Sequence, residues 1–167
     1  MTASADVTVL SLGSNLGDRV GNLTAGLEIL HRMLGVLAVS DLYETEPVGG
    51  DRQPAYLNLA ALVDTVDGWR ALTAAHVAES ARGRLRSRRW GPRTLDVDVV
   101  AVGATVSHDP RLTLPHPRAA ERAFVLRPWL DLDPDAVVPG RGPVRELLNG
   151  IGPSGIEPVG PVPGWWR

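Results

Sequence analysis

The chain has 167 residues, 44% hydrophobic and 22% charged, with a formal net charge of −2 and no cysteine. That length supports one domain with a real core, and the balance of apolar and charged residues excludes a disordered chain. The lack of cysteine excludes disulfides and thiolate metal sites, and the small net charge gives no global pull toward nucleic acid or anionic lipid. No basic segment with a long apolar run opens the chain, and no stretch approaches the roughly 18 apolar residues of a membrane helix. A cytoplasmic monomer with neither membrane nor nucleic-acid partner is the expectation.

In chain order, VTVLSLGSN (7–15) alternates as a strand and ends in turn chemistry at Gly13, Ser14 and Asn15. Leu23, Leu27, Leu30 and Leu34 recur at helical spacing behind Asp18, a residue type that caps helix starts. VLAVSDLYETEPV (36–48) reads as one strand, stopped by Pro47 and the Gly49–Gly50 pair, and YLNLAALVDTV (56–66) as its antiparallel partner. A helix is predicted over 69–84, then an arginine-rich loop leads into a strand from Thr94 to Val102. The order β-α-β-β-α-β predicts an α+β, ferredoxin-like antiparallel sheet with both helices on one face. Residues 117–139 read as mixed, VRELLNG (144–150) as a short helix stopped by Gly150, and 151–167 as a Pro/Gly-rich tail without regular structure. Residues 1–150 are thus expected to form a single domain, with 151–167 as its extension.

The densest chemistry lies in RRWGPRTLDVDVV (88–100), where positive charge runs directly into two carboxylates. Arg82, Arg84, Arg86, Arg88, Arg89 and Arg93 crowd twelve residues. On a strand, Asp96 and Asp98 point the same way, about 7 Å apart, while Leu95, Val97 and Val99 face the other layer. Two aspartates on one half-exposed face are commonly just solvated. Here the strand is otherwise very apolar, and unpaired buried carboxylates are costly, so a hard cation such as magnesium or several arginines must be close. The arginine fork suits phosphate oxygens, so the juxtaposition reads as a site for a metal–nucleotide complex, with phosphoryl transfer as its chemistry. The plainer alternative is a solvated basic loop pairing with Glu79 or Asp96. Trp90 and Pro92 sit uneasily in such a loop, and no Walker A sequence is present.

RLTLPHPRAAERAF (111–124) gathers Arg111, Thr113, His116 and Arg122; His116, held between two prolines, would donate to a phosphate or cap a turn. His76 and Glu79, three apart, share a helix face, so Glu79 would reach toward the metal or pair with an arginine. Tyr56 and Asn58 share one face of their strand and suit a planar heterocycle.

Together SLGSNLGDR, YETEPVG, QPAYLNLA, GRLRSRRWGPRTLDVDVV and LTLPHPRAAERAFVL resemble the 6-hydroxymethyl-7,8-dihydropterin pyrophosphokinase family, from about residue 8 to about residue 139. RWGPRTLDVD is the family's signature. The resemblance implies pyrophosphate transfer from MgATP to the pterin hydroxymethyl oxygen, leaving AMP, in the folate pathway. It implies that Asp96 and Asp98 bind two magnesium ions and that Arg84 and Arg93 are catalytic-loop arginines on the phosphates. ATP would be contacted by Glu79, Arg93, Val99 (through its backbone), Arg111, Thr113, His116 and Arg122. The pterin would stack between Tyr56 and Phe124, the sole phenylalanine, with Asn58, Thr45 and Val48 reading its edge and Trp90 sealing the site.

Two other readings remain at this point. Nucleotidyl-transferring palm domains set aspartates on a similar sheet. RNA-binding modules share the topology, yet they stack bases on strand aromatics that are scarce here and carry an RNP1 pattern that is absent.

Overall fold

The computed structural model describes residues 5–47, 52–83, 94–152 and 155–165. The first half runs β1 (Thr8–Ser14), α1 (Arg19–Leu34), β2 (Val36–Val39), β3 (Leu42–Thr45), β4 (Tyr56–Val63), α2 (Gly68–Ala81) and β5 (Asp96–Val102). A hairpin of β6 (Ser107–Asp109) and β7 (Leu112–Leu114), a 3-10 turn (Ala119–Glu121) and α3 (Ala123–Leu132) follow. A small hairpin of β8 (Val137–Val138) and β9 (Gly142–Pro143), α4 (Val144–Ile151) and β10 (Ile156–Gly160) complete the described chain. The main sheet is antiparallel in the order β10-β3-β4-β1-β5, with β2 pairing along the other half of β4. The predicted βαββαβ order stands as the ferredoxin-like core.

Local signals account for the elements. The Asp18 carboxylate accepts the Gly21 N–H at 2.9 Å and starts α1, and Leu23, Leu27, Leu30 and Leu34 bury one stripe against the sheet. Asp67 caps α2 in the same way, accepting from Arg70 N–H at 3.0 Å. The buried face of α2 is Ala71, Ala74, Ala75 and Ala78, and such short side chains let a helix lie close to its neighbours. Leu95, Val97 and Val99 fill the core beneath α1 and α2, as strand alternation requires. On the opposite face Val9, Leu62 and Val100 pack under Val125, Leu126 and Trp129 of α3. That second helical layer covers one end of the face; the other end is polar.

Several boundaries differ from the sequence reading. The expected single strand 36–48 is split at Ser40, whose hydroxyl accepts the Ala60 N–H at 2.9 Å in place of a regular ladder bond. Strand β1 runs through Gly13 and Ser14 instead of turning there. Helix α2 stops at Ala81, before Gly83 at φ +69°, and β5 begins at Asp96, not Thr94. The mixed stretch 117–139 contains α3, and α4 continues past Gly150 to its real stop at Gly152, φ +89°. The stretch expected to lack regular structure contributes β10, which pairs with β3.

Candidate active site

The polar end of the α3-covered face is built by strand register. On β1, Ser11 lies opposite Asp98 and Gly13 opposite Asp96; on β4, Asn58 lies opposite Gly13. On β3, Thr45 lies opposite Tyr56. These positions share one face because strand periodicity is two. The result is a cavity of about 200 Å3 floored by Ser11, Gly13, Asn58, Asp96 and Asp98. Thr45, Glu46, Gln53 and Tyr56 form one wall, and His116, Arg122 and Phe124 the other.

The wall near the carboxylates is cationic. Arg122 Nη1 stands 4.0 Å from Asp98 Oδ2, and its guanidinium lies 5.4 Å from the Phe124 ring centre. His116 is fixed by its own N–H, which donates to Val100 C=O at 2.8 Å, and its Nδ1 accepts the Arg118 N–H at 3.2 Å. Burial, with the neighbouring Arg122 and Arg118 charges, pushes the His116 pKa below its ordinary value, against an opposite pull from Asp96. The ring is therefore neutral at pH 7, with its proton on Nε2, the nitrogen left to donate to a ligand.

The opposite wall is organised for a flat, polar-edged group. Asn58 and Thr45 are buried, and Asn58 Nδ2 donates to Thr45 Oγ1 at 2.6 Å. Asn15 Nδ2 donates to Gln53 Oε1 and to Pro54 C=O, each at 3.2 Å, tying the loop before β4 to the end of β1. Tyr56 and Phe124 supply aromatic surface from opposite walls.

Of the residues singled out from sequence, the structure brings Thr45, Tyr56, Asn58, Asp96, Asp98, His116, Arg122 and Phe124 together around this cavity. The remaining candidates among the described residues are not part of that lining. Glu79 is buried on α2, where its Oε1 accepts the Val97 N–H at 2.8 Å, whereas His76, expected on the same face, is exposed. The Val99 side chain belongs to the core under α1 and α2. Arg111 pairs with Asp109 at 2.9 Å and lies over the Trp69 ring at 5.0 Å, and Thr113 donates to Asp109 C=O at 3.1 Å. Val48, Arg84, Arg86, Arg88, Trp90 and Arg93 lie outside the described residues.

The sequence reading passed over Ser11, Glu46 and Gln53 and took Gly13 for a turn. The available signal was a polar or side-chain-free position on the β1 face that otherwise carries Val7 and Val9. Among the described residues no three His, Cys, Asp or Glu side chains gather into a metal cage. Two carboxylates on one strand face are instead a partial, all-oxygen ligand set, which fits magnesium arriving with phosphates and waters.

Known proteins resemble this chain in both sequence and fold. The 7,8-dihydro-6-hydroxymethylpterin-pyrophosphokinase (HPPK) family matches residues 9–134. A 2-amino-4-hydroxy-6-hydroxymethyldihydropteridine pyrophosphokinase of Methylorubrum extorquens is 46% identical over 154 residues, covering 90% of this chain and 96% of that one. The Mycobacterium tuberculosis protein of the same name is 41% identical over 165 residues, covering 90% and 87%. The fold is similar to Plasmodium falciparum HPPK-DHPS, with a TM-score of 0.67 at 17% identity, over 89% of this chain; the chain spans 43% of that longer protein. The chain belongs to the 7,8-dihydro-6-hydroxymethylpterin-pyrophosphokinase family.

Proposed function

We propose that the protein transfers pyrophosphate from MgATP to the hydroxymethyl oxygen of 6-hydroxymethyl-7,8-dihydropterin in folate biosynthesis. The substrate oxygen bonds to the β-phosphorus, the bond between that phosphorus and the bridging oxygen on the α-phosphorus breaks, the hydroxyl proton is released, and AMP leaves. The observation that carries this reading is one cavity lined both by two strand carboxylates and by the Tyr56 and Phe124 rings. Family membership supports the same activity.

In this reading Asp96 and Asp98 hold two magnesium ions, which supply charge neutralisation on the phosphates when bound. Arg122 and neutral His116 donate to phosphate oxygens from the wall beside the carboxylates, where a preorganised donor needs no reorientation as charge develops. Arg111, Thr113, Glu79 and the Val99 backbone are assigned to the nucleotide. Thr45, Val48 and Asn58 read the pterin edge, Tyr56 and Phe124 stack on its ring, and Trp90 covers it. Arg84 and Arg93 steady the transferring group. Catalysis is positioning and electrostatics without a covalent enzyme intermediate. The working form is a cytoplasmic monomer.

The direct test is phosphorus NMR of the protein with MgATP and 6-hydroxymethyl-7,8-dihydropterin. Accumulation of AMP with a pterin diphosphate is expected, and chelation of magnesium should stop it. ADP would indicate single phosphoryl transfer, and no pterin-dependent change would remove the assignment.

A further inference from the structure

Residues 155–165 pair with and pack behind the strand that brings Thr45 to one wall of the site. Strand β3 has only four residues, pairs with β4 on one side, and would be an open sheet edge without β10. β10 runs antiparallel to it, with Ile156 opposite Thr45, Glu157 opposite Glu44 and Pro158 opposite Tyr43. Glu46 N–H donates to Gly155 C=O at 3.4 Å, which sets the phase of the ladder. The bonding pairs are then Gly155 with Glu46 and Glu157 with Glu44, and Pro158 falls where its missing N–H would have faced outward. A proline at that position also blunts the new outer edge.

The chain then anchors itself. It bends at Gly160, φ +127°, and buries Val162 in the core shared with α1 and α2. Trp165 follows, edge-on to His31 of α1 at 5.9 Å between ring centres, in a groove that Val36–Val39 also lines. Strand β3 is thus held from outside by a segment fastened at its far end to α1. The residues it delivers are Thr45, which orients Asn58, and Glu46, both lining the cavity.

We propose that segment 155–165 is a positioning element for the pterin end of the site, setting affinity for the planar substrate and leaving the nucleotide end untouched. The inference rests on the function proposed above. The segment bonds to β3 and leans on α1, whereas Asp98, His116 and Arg122 come from β5 and the chain between β7 and α3, across β4 and β1 in the sheet. Its loss loosens Thr45 and Asn58, and the entropy of fixing them is then charged to substrate binding.

Two variants test this: a chain ending at Gly152, and full-length Glu157→Pro, which removes one β3 bond while keeping Val162 and Trp165. The readouts are hydrogen exchange at the Glu44 and Glu46 amides and separate equilibrium titrations with the pterin and with a non-hydrolysable MgATP analogue. Faster exchange, about tenfold weaker pterin binding, and nucleotide binding held within about twofold are expected. Unchanged exchange, unchanged pterin affinity, or equal losses for both ligands would overturn the proposal. If the shortened chain does not melt cooperatively, Glu157→Pro decides the matter on the same readouts. An intact chain that binds no pterin would overturn the functional reading and this one with it, a result distinct from pterin binding that survives in both variants.

Discussion

Asn58 Oδ1 lies 2.7 Å from the point where a β-carbon on Gly13 would stand, and the Tyr56 ring is 3.4 Å from the same point. Gly13 is thus the residue that leaves room for the amide across the strand pair. Gly13→Ala should displace Asn58 and break its bond to Thr45, weakening pterin binding about tenfold. A pterin titration of the folded variant checks this. Unaltered affinity would mean that the Asn58 amide does not contact the substrate.

Asp96 and Asp98 place two negative charges in a partly enclosed site, with the Arg122 guanidinium 4.0 Å from Asp98. Asp96→Asn and Asp98→Asn should each lower kcat by about 10² to 10³ or more. Each should leave the melting temperature unchanged or slightly raised, because relief of like-charge repulsion opposes any lost contact. Rate assays over a magnesium titration, with melting curves alongside, separate the two effects. Turnover that persists at the native rate in either variant would dismiss that carboxylate as a metal ligand.

His116 has its pKa depressed by burial first, then by Arg122, with Asp96 opposing. A histidine depressed in the folded state favours the neutral ring. Its contribution to stability is present above the unfolded value near 6.5 and is lost as pH falls through the folded value. NMR titration of the ligand-free protein should place the His116 midpoint below 6.5, and His116→Phe should flatten the acid side of the stability profile. A midpoint above 6.5 would show that Asp96 outweighs burial.

Tyr43 on β3 donates its hydroxyl to Asp131 of α3 at 2.7 Å, and Arg127 donates to the other Asp131 oxygen at 2.9 Å. Burial, then the bond to Asp131, push the Tyr43 pKa up to about 12. The neutral phenol is favoured, so its stabilisation is full below pH 10 and fades as pH rises toward 12. Tyr43→Phe should cost about 1.5 kcal/mol at neutral pH, the range for a hydrogen bond to a charged group. Denaturation at several pH values should show wild type and variant converging between pH 10 and 12. A constant gap would assign the loss to packing.

Pattern carried the core of the fold. The leucine stripe with Asp18 located α1, and alternation told which faces Asp96 and Val97 present, because both signals are local and periodic. The family motifs named most of the cavity lining. What stayed illegible depends on partners distant in sequence. Ser40 divides a strand through a bond to Ala60, and Gly13 matters through Asn58. β10 exists because β3 has an unfilled edge; a run containing Pro158 and Gly160 carries little strand propensity of its own. Glu79 shows the same limit: helical spacing placed it beside His76, but a backbone N–H offered by β5 drew its carboxylate inward.

The pairing of Ile156 with Thr45 joins positions about 110 residues apart, among the longest closures in the sheet. Synthesis runs from the amino end, so β1 through α4 leave the ribosome before the strand that braces β3 exists. The substrate wall is then finished after the rest of the described fold. A chain interrupted before Ile156 would keep β5 with its two carboxylates yet leave β3 an open edge behind Thr45.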